Sequence, residues 1–259
     1  MKKGQVLIIL VMLLATALTI ALAATYQSIT ETQITKLEEE NQKALAAAEA
    51  GIEKALQLKQ EGSFVSLGLS NLSGINTFQS SVQINNQGSN IFITPLLQKD
   101  EQYTFYLSEY NLQTKNFNGN SLSQDINICF GTSHPTPALE ITIIKSDYTI
   151  KKYAINPNDS SIIENASNAS SANPNSCPNS SFNSLYTISA TDISTNSRIL
   201  IVRIISNGST KIGFKANNPF PPQGTTIISS ARSNTGIEKK VKLFQSYPQI
   251  PSEFFVTSF

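Results

Sequence analysis

The side chains able to do chemistry are few and widely spaced. The one histidine, His134, lies between Thr132 and Pro137. A Ser-His-Asp relay would have to be built on it, and its surroundings nominate no nucleophile. The chain has no Gly-x-Ser-x-Gly elbow and no Gly-rich phosphate loop. No second His or Cys stands at metal-ligand spacing from His134, which points to a solvent-exposed loop residue. Glu38-Glu39-Glu40 suggests a cation site only superficially, because three successive helical residues point in different directions. A solvated face is the simpler reading. Asn156-Pro157-Asn158-Asp159-Ser160 has oxygen ligands of the calcium kind but lacks the spaced carboxylates and bidentate Glu of a dedicated loop. Asn-x-Ser/Thr triplets at Asn71, Asn158, Asn165, Asn168, Asn179 and Asn207 would accept glycans only in a suitable host. Cys129 and Cys177 are either one disulfide or two buried thiols. These residues predict no enzyme, no cofactor and no bound metal.

Composition narrows the partners. Forty per cent of the 259 residues are apolar and only 14 % are charged, so Asn, Ser, Thr and Gln carry the surface of a folded protein. The net charge is +1, and the longest basic runs are the pairs Lys2-Lys3, Lys151-Lys152 and Lys239-Lys240. That leaves no electrostatic footprint for nucleic acid.

The elements that hold these residues follow from apolar patterning. Residues 5–24 contain no charge, no Gly and no Pro. At about 1.5 Å per residue the run covers roughly 30 Å, the hydrocarbon thickness of a bilayer. Lys2 and Lys3 stand just before it, and positive flanks stay cytoplasmic, which predicts that the rest of the chain lies outside. A cleaved secretory signal shares this description. Ala21-Leu22-Ala23 supplies the small-x-small pattern of signal peptidase, with a cut before Ala24. Against that cut, the run exceeds the usual 7 to 15 residues of a signal core, and no Gly or Pro breaks the chain between residues 5 and 50. Beyond the run, Tyr26, Ile29, Ile34, Leu37, Ala44, Leu45, Ala48, Ile52, Ala55 and Leu56 recur mostly at spacings of three and four, with charges between them. One helix is therefore expected, apolar all round over 5–24 and amphipathic over 25–61.

Lys2-Lys3-Gly4-Gln5 before an apolar twenty-mer, followed by Ala47-Ala48-Glu49-Ala50-Gly51-Ile52-Glu53, resembles the start of PilX-type minor pilins, a group of type IV pilin-like proteins. The likeness covers about the first fifth of the chain. It implies a leader at 1–4, cut between Gly4 and Gln5 by a prepilin peptidase, and a retained helix whose new N-terminus is methylated. It also implies assembly through that helix with other pilin subunits on an inner-membrane platform. The location would change from cytoplasmic membrane, N-terminus inside, to extracellular filament. Two residues depart from the pattern. Gln5 stands where Phe is usual, and Ile9 stands at the fifth mature position, where most pilins carry Glu. In family filaments that buried carboxylate is thought to pair with a neighbour's N-terminal amine. Ile9 cannot make the pair, and within the family its absence resembles a minor, tip or low-copy subunit. Many pilins also carry a C-terminal disulfide loop, which agrees with a bond between Cys129 and Cys177.

From residue 62 to 259 the pattern is that of a β-rich extracytoplasmic domain, giving an α+β fold with a long helix packed on antiparallel sheet. Strands are expected at 81–85, 91–94, 103–107, 126–130, 139–145, 148–155, 185–190, 199–206, 210–215, 225–230 and 238–245. Residues 144–148 and Ser206-Asn207-Gly208-Ser209 have the look of hairpin connections, the second through its Asn-Gly pair. Over 156–184, 17 of 29 residues are Asn or Ser, which predicts a loop. It is the expected face for a host or surface ligand, since loops often carry recognition. Phe254, Phe255 and Phe259 are expected to pack on the domain. The competing functions are a pilus or pseudopilus subunit, a secreted adhesive domain released after Ala23, and a single-pass surface protein that never polymerises.

Overall fold

The computed structural model describes residues 3–69, 78–119, 121 and 123–251, with residues 3–7 and 9 described by backbone alone. Lys2, Asn71, Phe254, Phe255 and Phe259 lie outside the described residues. Helix α1 (Lys3–Leu58) is unbroken over 56 residues, about 84 Å at the standard rise. It ends earlier than the expected residue 61. Lys59 adopts φ 53° and its N–H donates to Ala55 O at 2.8 Å, so a left-handed residue closes the last turn.

Fifteen strands follow among the described residues: β1 (Gln79–Asn85), β2 (Ile91–Ile93), β3 (Gln102–Tyr106), β4 (Glu109–Asn111), β5 (Asn116–Asn118), β6 (Ile126–Phe130), β7 (Leu139–Lys145), β8 (Ile150–Asn156), β9 (Ser167–Asn168), β10 (Ser170–Ser171), β11 (Ser184–Ile188), β12 (Ser197–Ile204), β13 (Gly213–Lys215), β14 (Gly224–Arg232) and β15 (Glu238–Ser246). The α+β class follows directly from this order. β6 and β7 coincide with their expected bounds, and β4 and β5 were not foreseen. The Asn/Ser-rich stretch is mostly loop, carrying only the two-residue strands β9 and β10.

The chain divides into two compact units, residues 1–84 with 226–243, and residues 85–225 with 244–259. β1 and most of β14 and β15 group with α1 in the first unit. In the first unit the sheet order is β1-β14-β15. Its core joins Ala47, Ala48, Ile52 and Ala55 of α1 to Phe64, Leu67, Leu69, Val82, Ile227 and Ala231.

The second unit is a sandwich of two five-stranded sheets, β10-β11-β6-β13-β2 and β3-β12-β7-β8-β9. Alternation along each strand sends one set of side chains inward. Phe105 of β3, Val202 of β12 and Ile141 of β7 thus meet Ile128 of β6 and Phe214 of β13. Phe105 and Phe214 stack with centroids 4.1 Å apart. β7 and β8 pair antiparallel around the 144–148 connection, as expected. The 206–209 connection is not a hairpin: β12 pairs with β3 and β7, whereas β13 pairs with β2 and β6. An Asn-Gly pair fixes a turn, but here the turn carries the chain from one sheet to the other.

Candidate functional site

The first half of α1 is the most unusual surface of the molecule. Every large apolar side chain described between Ile8 and Leu37 is at least half exposed, with Ile20 at 70 % and Tyr26 at 75 %. The helix is long and apolar enough to cross a membrane. Its few hydroxyls suit that setting, since Thr16 donates to Leu13 O at 2.9 Å, Thr19 to Thr16 O at 2.9 Å and Thr25 to Ala21 O at 2.8 Å. Polar groups satisfied within a helix cost little in hydrocarbon. Farther along, charge returns. Lys43 Nζ sits 2.6 Å from Glu39 Oε1, and that hydrogen bond holds the Glu39 carboxyl below its ordinary range. Glu40 accepts from Ser233 at 3.5 Å and from Thr235. The three successive glutamates therefore make no common site.

The second half of α1 is fixed to its sheet by small residues. Ala44, Ala47, Ala48 and Ala55 are fully or almost fully buried. At Gly51 an added Cβ would meet Ser229 Oγ at 2.4 Å, a Phe64 ring carbon at 2.8 Å and Val82 Cγ2 at 3.1 Å. The Ala-Ala-Glu-Ala-Gly stretch thus has a packing reason of its own, because it lets helix backbone approach sheet. In the sequence this stretch carried a family likeness and part of an apolar period; the signal that could have revealed the contact was the run of Ala and Gly at helical spacing.

The expected processing residues Lys3, Gly4 and Gln5, together with Ile9, fall in the first turns of α1. Backbone placement is all that is described for them. Ala21, Leu22 and Ala23 lie inside the same continuous helix.

Cys129 and Cys177 are joined as a disulfide, Cα to Cα 5.8 Å. Both are fully buried beside Phe182 and Leu185, and the bond ties the Asn/Ser-rich loop to β6. His134 is largely exposed, with Nδ1 4.0 Å from Asp159 Oδ2. The oxygens of the calcium-like stretch serve the loop itself. Asn156 Oδ1 accepts from the N–H of Ile162 at 3.0 Å and of Ile163 at 2.8 Å, while Asn158 Oδ1 accepts from Ser184 at 2.8 Å. No group of three His, Cys, Asp or Glu able to hold a metal occurs among the described residues.

Ionisable side chains also group in the second unit, among them a tyrosine cluster and a lysine–aspartate pair. Burial, then the neighbours Tyr110 and Tyr247, push the Tyr106 phenol up to about 12, and burial also raises Tyr103. Lys151 bonds Asp192 at the sandwich edge, which raises the lysine and lowers the acid. The pair is solvent-facing, so it stabilises little. Neither grouping combines a nucleophile with a base. No protein-family model, curated protein or solved structure matches the chain.

Proposed function

We propose that this chain is a minor pilin or pseudopilin, a structural subunit that enters a type IV pilus or related filament through α1. The observation that carries the proposal is the two-part helix. One continuous rod has an apolar outer half with exposed side chains and an inner end packed through Ala47, Ala48, Gly51 and Ala55 against a sheet. A half-helix of exposed apolar residues demands a second environment, first lipid and then neighbouring helices of the filament. In this reading prepilin peptidase cuts between Gly4 and Gln5 before assembly. The leader lysines Lys2 and Lys3 face the cytoplasm, and the β units face outward. In this reading Ile9 withholds the carboxylate that shaft subunits use, which favours a minor, tip or low-copy subunit over the main shaft protein.

The second reading, a secreted adhesive domain cut after Ala23, draws on the small residues Ala21 and Ala23. It would require unwinding mid-helix, since signal peptidase acts on an extended site. Deleting the gene in the source organism and blotting sheared surface filaments for this chain tests the role. The expected outcome is copurification in low amount, with fewer filaments in the deletion strain. Normal filaments that never contain the chain would contradict it.

A further inference from the structure

A cleft of about 610 Å³ opens in the second unit between the connection after β1, the β4–β5 hairpin and the run Pro219-Phe220-Pro221-Pro222. We infer that this cleft is a binding site for a neutral saccharide, held by Asn86, Gln87, Glu109 and Asn118. The inference goes beyond assembly and stands whether or not the chain polymerises.

The chemistry of the lining selects the ligand class. Three carboxamides and one carboxylate offer donors and acceptors side by side, as vicinal hydroxyls require. Proline rings supply an apolar wall for the C–H face of a sugar ring. Among the described residues no Lys, Arg or His lines the cleft, so a phosphate or carboxylate ligand would meet the Glu109 charge without a counterion there. A single carboxylate is too little charge for a dedicated calcium cage. The volume suits a mono- or disaccharide, within the usual range of small-ligand sites.

The walls are preorganised. Tyr110 and Phe117 are cross-strand partners in the hairpin, as are Glu109 and Asn118. Alternation turns these pairs to opposite faces. Tyr110 and Phe117 anchor the hairpin on Tyr106, at 5.2 Å and 6.0 Å between centroids, which leaves Glu109 and Asn118 for the cleft. Arg198 clamps its base by donating to Gly119 O at 2.8 Å and to Ser108 Oγ at 3.2 Å. Opposite, Phe220 is buried edge-on to Phe105 at 4.9 Å, and its N–H donates to Ser89 O at 2.8 Å. Gly88 lies so close that a Cβ there would fall 1.8 Å from Phe220 O. Rigid walls lower the ordering cost of binding. The four polar side chains make no hydrogen bond to another described residue, so their groups stay open to a ligand.

The test is an array of neutral hexose and N-acetylhexosamine oligosaccharides, printed with sialylated counterparts. It is probed with the full chain in a zwitterionic, sugar-free detergent. The expected result is binding to neutral glycans in preference to sialylated ones. The Glu109→Ala/Asn118→Ala variant should lose about tenfold or more in affinity, the scale of one or two lost hydrogen bonds, at an unchanged thermal midpoint. Absence of signal on every neutral glycan, preference for sialylated glycans, or a variant that binds like the parent would overturn the inference. If the variant has a lowered midpoint, Gln87→Ala, outside both sheets, replaces it under the same criteria.

Discussion

At the scale of residues, one missing side chain and a few buried phenols make the sharpest statements. Gly51 carries no Cβ because Ser229, Phe64 and Val82 occupy the space. Gly51→Ala gains about 1 kcal/mol of helix propensity but forces overpacking that costs about 1–3 kcal/mol. Gly51→Leu brings only the larger clash. The expected order of thermal midpoints is parent, Ala, Leu; a Leu variant as stable as the parent would show that the helix can stand off its sheet. The phenols carry a pH dependence. A folded-state pKa raised above the unfolded value of about 10 means that the neutral phenol is favoured in the fold. The associated stability is intact below pH about 10 and is lost as pH rises through about 12, where Tyr106 ionises. Absorbance at 295 nm should therefore rise in two stages, the later one coinciding with loss of native circular dichroism. A single stage near pH 10 in a protein that stays folded would contradict the burial of Tyr103 and Tyr106. The sequence showed these residues only as members of strands, since burial arises from sheets that meet across long separations.

At the scale of elements, the helix was legible over almost its full length and most strands were legible within a few residues. Apolar repeats of three to four, then of two, encode them locally. What escaped was nonlocal or short. β4 and β5 are three residues each and polar, and their only apolar anchors are Tyr110 and Phe117. The Asn207-Gly208 turn was visible, but which sheet each flanking strand joins depends on partners far along the chain. With only two cysteines a single pairing was possible, but the sequence left a disulfide and two buried thiols open, and the structure joins them between β6 and the Asn/Ser-rich loop. Closing a loop of sequence separation 48 stabilises by about 4 kcal/mol in the chain-entropy account. The Cys129→Ala/Cys177→Ala variant should lose stability on that order in urea titration and be nicked first within residues 157–183 by limited proteolysis. Unchanged cleavage would show that the loop is held by its hydrogen bonds alone. On the helix, Leu14→Lys places a charge in the apolar half at about 2.5–3.5 kcal/mol. Less of the variant should resist carbonate extraction from membranes than of the parent, and equal retention would argue against a spanning α1.

At the scale of the whole molecule, one continuous helix leaves the apolar side chains of its first half exposed and packs its second half on the sheet β1-β14-β15. The division into two units could not be read from the sequence, because residues 226–243 group with α1 although they lie 168 or more positions beyond its end at Leu58. The first residue of the mature chain decides among the readings most directly. Mass spectrometry of the N-terminal peptide from the membrane or filament fraction should find a chain that begins at Gln5, with an N-methyl group. A mature chain beginning at Ala24 would contradict the account in favour of secretion, and an intact Met1 would contradict it in favour of a plain anchor.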